Sequence, residues 1–222
     1  MQLTIDKKFY SKLRTHVDKT YRKQMPFAIS KAINQTAKDI APAMAVEAEQ
    51  AFNAPTPFTK KATKVEKWAN KRTLTAIVGM KPQQNRYMST EIKGGPRRQT
   101  ATARRFAKAG YIPSNMYALP GKDFKRRNKY GNITRGQINK WFEACNKPGS
   151  NIFTINTNNS TGVWLLVQRT RGSEIRSLLA FLPEAPEYSK RFDWKGTGQQ
   201  VVNAKFPFYF RKAIIQAIRT AK

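Results

Sequence analysis

Histidine and cysteine are almost missing. His16 and Cys145 are the sole members of their kind in 222 residues. One of each cannot supply the ligands of a usual Cys/His zinc site, and a single Cys cannot close a disulfide within the chain. Acidic residues are scarce as well: 13 Asp and Glu stand against 42 Lys and Arg, and between positions 67 and 142 only Glu91 and Asp123 occur. A divalent-metal nuclease needs clustered carboxylates. Glu47, Glu49 and Glu66 could converge to supply one, although charges on a helix surface account for the first two. No apolar run approaches the ~20 residues of a membrane helix, and Met1 to Lys8 lack the apolar stretch of a secretory signal. Gly94-Gly95-Pro96 has neither the spacing nor the Lys-Ser/Thr ending of a phosphate-binding loop. These absences point to a non-enzymatic chain without cofactor, metal or membrane span, cytosolic or carried on a particle.

What the chain has is positive charge, a formal +29. Aromatic residues make up 11 % of the sequence, too many for a disordered basic tail. A chain of this length buries roughly 70 % of its unfolded surface, so the expectation is one folded domain with a very positive exterior. The excess is uneven: +5 in residues 1–60, +17 in 61–140 and +7 in 141–222. Self-repulsion at that density opposes compaction, which implies neutralisation by a polyanion or an acidic partner in the working form.

Periodicity outlines the elements. Phe9, Leu13, Val17 and Tyr21 recur every fourth residue, a helical stripe over about 6–23. Pro26 suits the first turn of a second helix, which runs along Ile29, Ile33, Ala37, Ile40, Met44 and Ala48 to about Phe52. Pro42 is expected to kink or split it. Residues 62–68 and 73–80 are β-prone and joined by Ala-Asn-Lys-Arg, a hairpin pattern. Arg97 to Ala109 reads as a helix closed by Gly110, and 111–132 as loop. Thr134 caps a predicted helix to Asn146. The runs 151–157, 162–169 and 174–182 are strand candidates. Phe206, Phe210, Ile214, Ala217 and Ile218 mark an amphipathic C-terminal helix. The fold class that follows is α+β, with a long N-terminal helix and a C-terminal amphipathic helix packed on a mostly antiparallel sheet. The expected organisation is a single domain over 1–222 with a basic helix-and-loop excursion at 94–132.

Two basic groups are the candidate partner-facing residues. Arg97, Arg98, Arg104, Arg105 and Lys108 share one broad face of the predicted 97–109 helix, suited to phosphate or carboxylate or simply to solvent. Lys125, Arg126, Arg127 and Lys129, with Lys122 beside them, form a loop cluster interleaved with Phe124 and Tyr130. That cluster can track a nucleic-acid backbone or dock on an acidic protein. Cys145 falls on the apolar stripe of its helix, the place of a buried structural thiol rather than half of a pair with His16.

Four local patterns occur together: Pro55-Thr-Pro-Phe-Thr59 after an Ala-rich helix containing Ala32-Ile-Asn-Gln-Thr-Ala37; Glu91-Ile-Lys-Gly-Gly-Pro-Arg-Arg98; Ala118-Leu-Pro-Gly121; and Tyr130-Gly-Asn-Ile-Thr-Arg-Gly-Gln137. In this order, the set resembles the minor tail protein Z-like, tail-completion proteins of tailed bacteriophages. The resemblance covers roughly residues 28–140 and the last twenty. It implies a structural virion protein at the head–tail joint, assembled as a ring with itself and touching neighbouring neck, portal or tail proteins, with DNA in the axial channel a further contact. It implies location in the virion neck or tail, and in the host cytoplasm during assembly, and it carries no catalytic residues. A stand-alone basic nucleic-acid-binding protein is the alternative.

Overall fold

The structure, a computed structural model, describes residues 2–4, 19–125, 127–157, 161–172 and 174–220. It divides the chain into two compact units, one of Met1–Ile92 with Lys190–Lys222 and the other of Lys93–Ser189. The basic stretch at 94–132, expected as an excursion from one domain, is the opening part of the second unit.

The first unit is built on α1 (Lys19–Ala51), a single helix of 33 residues. Ile29, Ile33, Ile40 and Met44 bury one stripe of it beneath a hairpin and the last helix. Pro26 and Pro42 both lie inside α1. Pro26 is therefore not at a helix start, and Pro42 neither splits the helix nor ends it. Each proline removes one intrahelical hydrogen bond, and at Pro42 the burial of Ile40 and Met44 on either side offsets the loss. Phe9, Leu13 and Val17 of the predicted first stripe lie outside the described residues. Strands β1 (Gln2–Thr4), β2 (Thr63–Lys67) and β3 (Thr75–Met80) form an antiparallel sheet in the order β1-β3-β2, with the expected hairpin between β2 and β3. Asn34, within the Ala32–Ala37 motif, accepts from the Ala69 N–H (2.8 Å) and donates to its carbonyl (2.9 Å), anchoring the hairpin loop to α1.

Two further helices of this unit are short. Thr56 caps α2 (Pro57–Lys60) by accepting from the Thr59 N–H, and α3 (Pro82–Lys93) buries Gln84 and Met88. Helix α6, the C-terminal one, spans Trp194–Arg219 and contains Pro207. Its Ala213 and Ala217 meet Ala28 of α1, small side chains that let the helices close. Tyr209 Oη donates to Asp39 Oδ2 across the same contact at 2.6 Å.

In the second unit, β4 (Gly95–Pro96) pairs with β9 (Glu187–Tyr188), and β5 (Tyr117–Pro120), β6 (Ile152–Asn156), β7 (Trp164–Arg169) and β8 (Ile175–Leu182) form an antiparallel sheet in the order β5-β8-β7-β6. Helices α4 (Ala101–Lys108) and α5 (Arg135–Cys145) contribute Ala103, Phe106 and Trp141 to the core built on Leu166, Leu179 and Phe181. Phe106 is fully buried and meets Phe142 edge-on at 5.2 Å. The helix predicted from Arg97 begins only at Ala101. Thr100 caps it by accepting from the Ala103 N–H at 3.2 Å, which leaves Arg97 and Arg98 in the preceding non-helical segment. Gly110 does end it, with φ +77°. The expected α+β class is the one observed, with long helices near both ends of the chain and antiparallel sheets.

Candidate functional site

The second unit carries a groove of about 1630 Å³. Its walls are the loop after β5, one turn of α5, the facing parts of β7 and β8, and the turn between them. Register sets its floor. Leu119 of β5 and Leu165 of β7 both pair with Ala180 of β8, so three aliphatic side chains lie side by side across three strands. All three are half-buried. Around this floor stand Lys122, Lys125, Lys140, Arg169, Arg171 and Arg176, every one exposed.

Two carboxylates share the groove with these six cations. Asp123 accepts from the Ser177 hydroxyl (2.8 Å) and from the Ser177 backbone N–H (3.1 Å). Those two hydrogen bonds, the side-chain one foremost, hold its pKa below the ordinary carboxylate value. Glu174 lies 3.5 Å from Arg176, with both side chains open to water. The groove therefore keeps a strong positive excess in a concave space, an arrangement that concentrates anions.

The loop bearing Lys122 and Lys125 is fixed by β8. Gly121 donates to the Leu178 carbonyl at 2.9 Å, and a Cβ at this position would sit 2.4 Å from the Ser177 carbonyl oxygen. Only glycine allows that approach. On α5, Thr134 and Gln137 form a capping box, which sets the helix start and with it the position of Lys140.

The predicted cations are distributed over several places. Lys125 lines the groove. Arg127 and Lys129 are exposed in the following turn, where Asn128 Oδ1 accepts from the Tyr130 and Asn132 N–H groups; Arg126 lies outside the described residues. Arg104, Arg105 and Lys108 are exposed on α4, as expected of one helix face. Arg97 and Arg98 do not share that helix. Arg97 donates to Tyr188 Oη at 3.2 Å, while Arg98 is exposed. Arg105 is also a packing residue: it donates to Asn139 Oδ1 at 2.6 Å, and its guanidinium lies 3.9 Å from the centre of the Phe142 ring.

Lys140, Arg169, Arg171 and Arg176 were not among the predicted site residues. In sequence they sit at a helix turn, a strand end and a hairpin. Only the cluster of Arg169, Arg171 and Arg176 around the turn at Gly172 hinted at a concentrated charge.

Glu47 accepts from the Asp193 N–H, Glu49 pairs with Lys60 and Glu66 with Lys64, so these three do not form a site. Burial pushes the Cys145 thiol up to about 11. His16 lies outside the described residues. Among the described residues, no group of three His, Cys, Asp or Glu side chains is placed to hold a metal ion, and no helix is long and apolar enough to cross a membrane. Comparison of the chain with family models, curated proteins and solved structures finds no match.

Proposed function

We propose that this chain is a non-enzymatic structural protein of a tailed-phage virion, acting in several copies where head or neck meets tail, with its cationic groove turned to an anionic partner. The observation that carries this reading is the groove: six exposed cations from three separate stretches of sequence converge on one concavity. It is larger than the ~300–1,000 Å³ of ordinary small-molecule sites, and so suits a macromolecule better than a metabolite.

The motifs behind the tail-completion resemblance support it further, because in this fold they act as structural devices. Thr56 caps a helix, Asn34 anchors a hairpin, Gly121 admits a close backbone approach, and Thr134 with Gln137 closes a capping box. A chain whose distinctive residues serve architecture fits assembly better than turnover.

Sedimentation velocity and negative-stain imaging of the purified full chain, alone and with a tailed-phage portal or tail-tube protein, test this. Closed rings, or co-assembly with either protein, are the expected result. A monomer that ignores both proteins but binds duplex DNA with a steep salt dependence would replace the proposal with the stand-alone nucleic-acid-binding alternative.

A further inference from the structure

The groove's floor distinguishes between possible occupants. A single-stranded nucleic acid is held largely by aromatic faces on which its bases stack, and a duplex by cations that meet its phosphates, which would leave an apolar floor without a partner. Here the floor is aliphatic: Leu119, Ala180 and Leu165 in cross-strand register. The two aromatic residues lining the groove are Phe124 and Trp141, and they are turned on one another edge-to-face at 4.9 Å and 89°. Trp141 is only 8 % exposed. Neither ring is set out as a stacking platform.

An aliphatic floor inside a cationic rim matches a polypeptide with apolar side chains on one side and carboxylates around them. A second copy of this chain supplies that poorly. It has 13 acidic residues in 222, and Glu47, Glu49, Glu66, Glu91 and Glu174 are already engaged within the fold.

We infer that the groove of the second unit is the docking site for an acidic, amphipathic segment of another protein, with apolar side chains on the Leu119–Ala180–Leu165 row and carboxylates paired to Arg169, Arg171, Arg176 and the lysines of the rim. This deepens the proposed function and rests on its reading of the groove as partner-facing. The rim is held ready for such a segment, since the Asp123–Ser177 hydrogen bonds and the Gly121 contact fix the Lys122–Lys125 loop against β8 before anything binds. Preorganisation of this kind lowers the entropic cost of docking.

The test uses three fluorescently labelled probes of matched length on the purified full chain: a Glu/Leu peptide with an apolar stripe, a Glu/Ser peptide of equal charge, and an oligonucleotide. Because the rest of the surface is also basic, only binding removed by Arg169→Glu with Arg176→Glu is assigned to the groove. The expected result is that the Glu/Leu peptide binds the groove at least tenfold more tightly than the Glu/Ser peptide. Leu165→Ser should erase that preference, with circular dichroism confirming that the variant is folded. Equal binding of the two peptides overturns the inference, since charge alone would then account for it. A groove-dependent preference for the oligonucleotide also overturns it, while leaving the groove partner-facing. Binding of no probe at the groove overturns both the inference and the groove reading beneath it.

Discussion

Glu91 and Arg191 are 100 residues apart in sequence and joined in space: the guanidinium donates twice to Glu91 Oε2, at 2.8 and 3.0 Å. The Glu91 carbonyl also accepts from the N–H groups of Arg191 (2.8 Å) and Phe192 (3.1 Å). These residues flank the points where the chain leaves the first unit after Ile92 and returns to it at Lys190. One acidic side chain thus closes the first unit at its break in sequence.

Glu91→Gln should lower the stability of the first unit by about 1–2 kcal/mol, because the Glu91 side chain is only 13 % exposed and the lost bonds are charge-assisted, while half-exposed Arg191 can turn to water. Urea unfolding of the variant against the parent measures it. An unchanged midpoint would show that the backbone hydrogen bonds alone hold the closure.

Arg104 and Arg105 are neighbours with different duties. Arg104→Glu should leave the thermal midpoint nearly unchanged, within about 0.5 kcal/mol, as for an exposed site. Arg105→Glu should cost about 1 kcal/mol, through loss of the Asn139 hydrogen bond and the cation–π contact with Phe142. Equal effects of the two reversals would contradict the packing role given to Arg105.

Gly121→Ala should destabilise the second unit by about 1–3 kcal/mol, the usual range for overpacking, since its methyl group meets rigid backbone of Ser177 and Leu178. The amide signals of Lys122 and Lys125 should move with it. A neutral substitution would mean that the loop can shift away from β8.

The Asp123 clamp has a defined pH dependence. Its folded pKa lies below the unfolded value because Ser177 donates to the carboxylate. The interaction is therefore fully present above about pH 3.9, the ordinary Asp value, and is lost as pH falls through the lower folded value. The Ser177 amide shift should stay constant from neutral pH to about 4 and move below it. Asp123→Asn should abolish the transition; its persistence would assign it to another group.

Cys145 should resist modification in the native chain. With its pKa pushed to about 11 by burial, only about one thiol in a thousand is ionised at pH 8. Reaction with a disulfide reagent at that pH should be slow in buffer and fast in urea. Rapid native labelling would show that α5 exposes the thiol.

Local chemistry was readable along the chain: the hairpin over 62–80, the three strands between 151 and 182, the Thr134 cap and the C-terminal helix all follow from side-chain periods and capping groups within a few residues of one another. So was the net charge of +29. The continuity of α1 through Pro26 and Pro42 was not readable, because packing against α6 and the hairpin, formed by residues far along the chain, decides it. Strand β5 was hidden in a stretch rich in turn residues; it exists because β8 pairs with it. The groove was the least legible feature. Lys122, Lys140 and Arg176 become neighbours only when strand register and a capped helix bring three distant segments to one concavity. Side-chain type fixes charge and local backbone preference, whereas the meeting of charges is a property of non-local pairing that the folded chain alone establishes.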